Sequence, residues 1–357
     1  NEKPEVDTSN FKTVLWEGNG NDNRYISNLG IDLETSGGLV WTKTRTAAYY
    51  HQLQDSVRGA GANAIYSNST DAENGGSSTY NADFGYINSF EANGWFTKNG
   101  SDGLGTWVNR SGNDYVAWVW KGGGDDVLNE EGTIDSQVSA NTDAGFSIVK
   151  FDGYQSSGTT VGHGLNIDGV ATTPELIIAK NLDQATSWPV WFDDAITMTS
   201  TTFTLENSTK YLALNSTTGY IPFTLDKQFG GTLNGGSGDE MIAYCFHSVS
   251  GYSKIGSYTG TGTTNSFTGF GFQPRWIMIK RTDSTGNWWV FDSLRGNNKG
   301  IRANLSNVED TTDADANTNE YRINFLSDGF QYEIDDSTNV SGDLNALNGT
   351  YIYMAFK

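Results

Sequence analysis

Two short segments carry the same pair of opposite charges three residues apart, Asp55-Ser56-Val57-Arg58-Gly59 and Asp292-Ser293-Leu294-Arg295-Gly296. A carboxylate and a guanidinium so spaced can hold a ligand carboxylate or sugar hydroxyls. They can also close a turn by bonding each other, with Gly59 and Gly296 supplying a positive φ. The motif appears twice, and repeats tend to keep turns and diverge at ligand sites, so Asp55/Arg58 and Asp292/Arg295 are read as structural turn pairs. Asp313, Asp315, Asn317 and Asn319 imitate the first half of a calcium loop. Thr318 stands where that loop needs glycine and Asn324 where it needs glutamate, so it is not an EF-hand. Asp313, Asp315 and Asn317 remain a calcium candidate of another kind, against the plainer reading of a solvated acidic loop. No other cofactor is expected.

The doublets Asp193/Asp194, Asp239/Glu240 and Asp335/Asp336 raise glycoside hydrolysis, which needs two carboxyls about 5–10 Å apart across a cleft. Neighbours on a strand point to opposite faces, so no doublet is itself such a pair. His163 lies between two glycines and reads as a turn residue, while His247 follows an apolar strand and should face a seam between units. Cys245 sits inside that strand and reads as a small buried hydrophobe. With one cysteine and three histidines, a disulfide framework, a thiolate zinc cluster and histidine-based catalysis have little material. No catalytic residue is assigned, and the chain is expected not to be an enzyme.

The elements that must carry these residues follow from composition. The chain has 357 residues and a net charge of −20, which disfavours phosphate backbones and argues against nucleic-acid partners. No apolar run is long enough for a membrane-spanning helix, so insertion is not expected. The opening Asn1-Glu2-Lys3-Pro4 has no secretory pattern. Glycine numbers 43 and aromatics make up 13% of the residues, a pairing that argues for folded strands joined by polar turns rather than disorder.

Self-similarity organises the rest. Strands ending in Lys43, Lys180 and Lys280 each lead, roughly 60–70 residues later, to a closing strand: Tyr115 to Trp120, Met241 to Phe246 and Tyr351 to Phe356. Asn68, Asn215 and Asn304 follow the lysines in the same order, each opening a small-polar loop. The expected fold is all-β, with three tandem homologous antiparallel β-sandwich domains of jelly-roll or lectin-like character. Its boundaries are a tether at 1–10, repeats at 11–120, 145–247 and 248–357, and an acidic glycine-rich linker at 121–144 that acts as a hinge. Each repeat is expected to fold round its own aromatic centre.

The runs Asn141-Thr142-Asp143-Ala144-Gly145-Phe146, Val161-Gly162-His163-Gly164-Leu165 and Gly271-Phe272-Gln273-Pro274-Arg275-Trp276 resemble a tandem β-rich module of unknown function. That module recurs in tail-fibre-like virion proteins of marine phages, including the phages of cyanobacteria and of abundant open-ocean bacteria. Leu39-Val40-Trp41-Thr42-Lys43 and Tyr351-Ile352-Tyr353-Met354-Ala355-Phe356 look like its first and last signatures. One departure stands out: the second unit has Phe192-Asp193-Asp194-Ala195 where the others have the Asp-Arg turn. The resemblance implies a virion structural protein, a tail fibre or host-recognition component on the particle surface, acting by multivalent non-catalytic binding. Implied partners are other virion proteins, a host cell-surface glycan or protein, and further copies of the chain in a homo-oligomer. The alternatives are a capsid or tail decoration protein and a polysaccharide-degrading tailspike enzyme.

Overall fold

The computed structural model describes residues 10–76, 83–153, 159–167, 169–192, 197–204, 210–222, 238–311, 321–334 and 342–357. It is an all-β fold of antiparallel sheets, none of which closes into a barrel among the described residues.

One strand order recurs in the three main sheets. In the first, Phe11–Glu17 lies beside Asp114–Lys121, then Gly38–Thr44, then Gln52–Asp55. In the second, Phe146–Asp152, Glu240–Phe246, Leu176–Asn181 and Pro189–Phe192 follow in that order. In the third it is Ser253–Thr259, Thr350–Phe356, Trp276–Arg281 and Trp288–Asp292. Each closing strand is therefore clasped between the opening strand and the lysine strand. A small three-stranded sheet accompanies each: Arg24–Ser27, Gly94–Lys98 and Tyr86–Glu91 in the first, and Asn265–Thr268, Gly329–Ile334 and Tyr321–Leu326 in the third. Its counterpart in the second is built of Val161–Gly162, Thr202–Thr204 and Thr197–Met198.

The closing and lysine strands read as nearly unbroken apolar runs because both of their faces are buried. One face of each main sheet supplies an outer core of its own, such as Val40, Tyr115, Ala117 and Val119 with Ile26 and Trp95 in the first unit. The second and third units have equivalent outer cores. The opposite faces meet in one shared inner core. Trp41, Trp118 and Trp120 of the first unit pack there with Ile178, Tyr244 and Phe246 of the second and Trp276, Met278 and Phe356 of the third. The expectation of separate centres thus needs correction: each unit has one, and a larger one joins all three. A fully buried large apolar side chain contributes roughly 1.5–3 kcal/mol, so removing one unit would strip its neighbours of a comparable inner face.

The hinge reading of 121–144 also fails. Val127–Asn129 and Ser136–Asn141 form a hairpin that extends the second main sheet through Phe146–Asp152. Gly122 N donates to Gly37 O and Gly124 N donates to Ser36 O, which fastens the segment to the first unit. The strands escaped notice because small polar residues take their buried places. Ser136 and Ser139 are both buried, with their hydroxyls satisfied by Gly162 O and Gly124 O.

Candidate functional site

The two Asp-Arg motifs occupy equivalent turns, and both are buried. Asp55 Oδ1 accepts from Arg58 N at 3.0 Å and Oδ2 from Arg58 Nε at 2.6 Å, with Gly59 at φ +85°. Asp292 takes the same two bonds from Arg295, and Gly296 lies at φ +113°. Each carboxylate has a further partner across a seam. Tyr244 of the second unit donates its hydroxyl to Asp55 Oδ2 at 2.8 Å, and Trp118 of the first donates Nε1–H to Asp292 Oδ2 at 3.0 Å. Arg58 continues to Glu73 at 2.9 Å, and Arg295 to Glu309 at 3.1 Å. Glu309 in turn takes a two-pronged contact from Arg45 at 2.8 and 2.9 Å, tying the first unit to the third. These oxygens and guanidinium nitrogens are engaged within the protein, which leaves a ligand little to bind there.

The three lysines are held alike beside the seams. Lys43, Lys180 and Lys280 are fully buried on the inner face. Their ammonium groups are capped by backbone carbonyls: Thr44 O at 2.6 Å for Lys43, Asn181 O at 2.8 Å for Lys180 and Gly286 O at 2.6 Å for Lys280. Two also cross a seam, Lys180 to Thr70 O at 3.3 Å and Lys280 to Thr217 O at 2.8 Å. Burial pushes their pKa values down, to about 7 for Lys43 and Lys180 and to about 8 for Lys280.

Eight residues after each lysine stands a nitrogen-bearing ring: His51, Trp188 or Trp288. The backbone N–H of each donates to the side-chain oxygen of Asn68, Asn215 or Asn304, at 2.9, 3.1 and 2.9 Å. The ring N–H then reaches into the preceding unit. Trp188 Nε1 donates to Tyr66 O at 3.0 Å and Trp288 Nε1 to Ala213 O at 2.9 Å. His51 Nε2 lies 3.0 Å from Arg302 O and Nδ1 lies 2.9 Å from Trp41 Nε1. The indole can only donate, so Nδ1 accepts and Nε2 carries the proton. Second to first, third to second, first to third: the contacts close a ring. Sequence reading missed this, although aligning the lysine strands would have placed His51, Trp188 and Trp288 at one position.

The remaining candidates have local roles. His163 is buried, its Nδ1 accepting from Leu165 N at 3.1 Å and its Nε2 lying 3.1 Å from Thr199 O; burial lowers its pKa. His247 lies 2.7 Å from Thr173 O within its own unit, rather than across a seam. Burial pushes the Cys245 thiol up to about 12, so it is not a thiolate nucleophile at neutral pH. Trp288 and Trp289 point to opposite faces and both are buried, one in the inner core and one in the outer. Asp239 accepts from Asn181 Nδ2, and Glu240 pairs with Lys150. Asp193/Asp194, Asp335/Asp336 and the calcium candidate Asp313, Asp315 and Asn317 lie outside the described residues.

Exposed chemistry gathers on the rim. Tyr25 rests on Phe96 with ring centroids 4.9 Å apart, on the outer face of the first small sheet. The matching face of the third unit carries a polar ladder instead, in which Gln331 donates to Ser266 and Asn324 donates to Gln331. A hollow of about 370 Å³ lies between Thr35–Ser36 and Asn141–Asp143, and one of about 210 Å³ between the first and third units.

A family model described as a domain of unknown function, DUF7483, matches residues 7–357. The chain belongs to this family. Its single match spans the three units together, in keeping with their common inner core. Neither the curated proteins nor the solved structures contain a match.

Proposed function

We propose that this member of the DUF7483 family is a non-catalytic structural and adhesive component of a phage particle, a tail fibre or host-recognition protein at the virion surface. The closed ring of seam contacts carries the reading. The residues that look most like site chemistry are engaged internally: Asp55 and Asp292, held by Arg58 and Arg295, make contacts across seams, as do Lys180 and Lys280, and Lys43 is capped within its own unit. What the ring presents outward is rim chemistry, including the Tyr25/Phe96 pair, suited to weak contacts with a glycan that become useful when many copies engage one surface. The motif resemblance to marine-phage fibre proteins supplies the virion setting.

The test combines the protein with host cells and their isolated surface polysaccharide. Retention on cells with the polysaccharide intact is the expected result. Released oligosaccharide would overturn the non-catalytic reading in favour of a depolymerase. Antibody labelling confined to the capsid shell would overturn the host-recognition role and leave a decoration protein.

A further inference from the structure

We propose that the groove between the first and third units binds the carboxylate of an acidic sugar residue; this deepens the adhesive reading and rests on it. The groove, about 210 Å³, is lined by Lys12 and Thr13 from the first unit and by Arg275, Ser293, Leu294 and Lys357 from the third. Three cations converge here on a chain whose net charge is −20. Most other described cations have an acidic partner, a carbonyl cap or an aromatic ring beneath them. The side chains of Lys12, Arg275 and Lys357 have no ion-pair or hydrogen-bond partner among the described residues. A terminal carboxylate at Lys357 would offset one charge and leave an excess of two.

The equivalent positions show that this charge is not a requirement of the fold. Five residues before its lysine the third unit has Arg275, whereas the second has Glu175. Glu175 is engaged locally, accepting from Ser248 N at 2.6 Å and lying 4.0 Å from His247. The lysine strands are alike and the residue that opens onto the groove has diverged, as expected of a ligand position rather than a turn.

The lining fits a uronic acid better than a bare anion. A guanidinium forks onto a carboxylate with two parallel bonds, and two flanking ammonium groups add charge from either side. Thr13 and Ser293 offer hydroxyls for the sugar's own, and the exposed side chain of Leu294, 56% accessible, offers an apolar face for ring C–H groups. The volume suits one residue of a polymer rather than a whole oligosaccharide. Because the lining comes from both units, the groove exists only when the ring is closed.

Calorimetric titration of the full chain with oligogalacturonate at about 0.15 M salt, where contact charges are not screened out, tests the proposal. Neutral dextran, dextran sulfate and polyglutamate serve as comparison probes. Oligogalacturonate should bind, dextran should not, and Arg275→Gln should weaken binding by about tenfold, the worth of one charge-assisted bond. Lys12→Gln combined with Arg275→Gln should abolish it, with an unchanged thermal midpoint showing that the fold is retained. Equal binding of polyglutamate or dextran sulfate would overturn the sugar-acid assignment, and undiminished binding by the double variant would overturn the groove. If that variant still adheres to host cells as well as the parent, the groove proposal fails while the adhesive reading stands. If the parent itself does not adhere, the adhesive reading fails.

Discussion

Among the described residues, two of the three seams have a buried carboxylate at their centre and the third does not. At one polar seam Tyr244 donates to Asp55; at the other Trp118 donates to Asp292. The closing-strand position that holds Tyr244 and Trp118 holds Met354 in the third unit, and Met354 has no donor. The position that holds Asp55 and Asp292 holds Phe192 in the second unit, which is the unit that should meet Met354 in the ring, and Phe192 packs against the inner core. The donor and the carboxylate are thus absent together. A buried carboxylate is tolerated where an arginine and a cross-seam donor both satisfy it, and an apolar pair takes its place where the donor is missing.

The most damaging way to test that pairing is to remove the carboxylate from a polar seam. Asp292→Ala would leave Arg295 buried with its strongest partner gone and Trp118 Nε1 without an acceptor. Breaking a buried pair from one side costs about 3–5 kcal/mol, and urea denaturation should show a loss of that order. Asp55→Ala should cost a comparable amount, because Arg58 keeps Glu73 and Leu53 O just as Arg295 keeps Glu309 and Val290 O. A loss below about 1 kcal/mol at either site would mean that the carboxylate is not what holds its seam.

The reciprocal change should come next in size. Phe192→Asp introduces a carboxylate without the Asp-Arg turn of the other units, since the fourth residue of that motif is Ala195. Loss of packing and the burial of an unpaired polar group predict about 2–3 kcal/mol of destabilisation. A double variant, Phe192→Asp with Met354→Tyr, should recover part of it by restoring a donor. No recovery in a double-mutant cycle would sever the proposed link between the two positions.

Much of this architecture was legible in the residues, and the reasons for what escaped are physical. The lysine and closing strands declared themselves because burial on both faces forces continuous apolar runs. The Asp-Arg turns were legible because a positive-φ glycine follows each pair. The hairpin between the first and second units was not, since Ser136, Ser139 and Asn141 satisfy buried positions by hydrogen bonding rather than by apolar bulk. The shared inner core was hidden for a different reason. A continuous apolar run shows that a strand has two buried faces but not whose side chains cover the second. His51, Trp188 and Trp288 share a position while differing in residue type, so only their spacing from the lysines links them.

The lysines offer a feature common to the inner faces of all three units, against which the difference can be sharpened. Lys43 and Lys180 have folded pKa values near 7 because of burial, below the ordinary lysine value of 10.5. Between those values the unfolded chain binds more protons than the folded one, so stability should rise as pH increases from 7 towards 10. Lys180→Met should flatten that rise, because no ammonium then needs desolvation. An unchanged slope would mean that the carbonyl caps fully compensate the charge.

The smallest expected effect concerns the one ring position that can titrate. His51 is buried, and desolvation with the nearby Lys43 charge holds its pKa well below 6.5. Its Nδ1 accepts from Trp41, so protonation there would set two donors against each other. The unfolded chain takes up this proton as pH falls through about 6.5 and the folded chain does not, so stability is full above that value and declines below it. His163, also buried with a lowered pKa, acts in the same direction, so the informative quantity is a difference between proteins. His51→Gln keeps a donor for Arg302 O and has no titration. Its stability between pH 6.5 and about 5, above the range where carboxylates dominate, should fall less steeply than the parent's. Trp188 and Trp288 close their seams with indoles that do not titrate, which makes the joint between the first and third units the one through which mild acid should loosen the ring. Hydrogen exchange at pH 5.5 should therefore accelerate first at Arg302 and Ala303 and later around Tyr66 and Ala213; simultaneous acceleration at all three joints would show that His51 confers no special weakness.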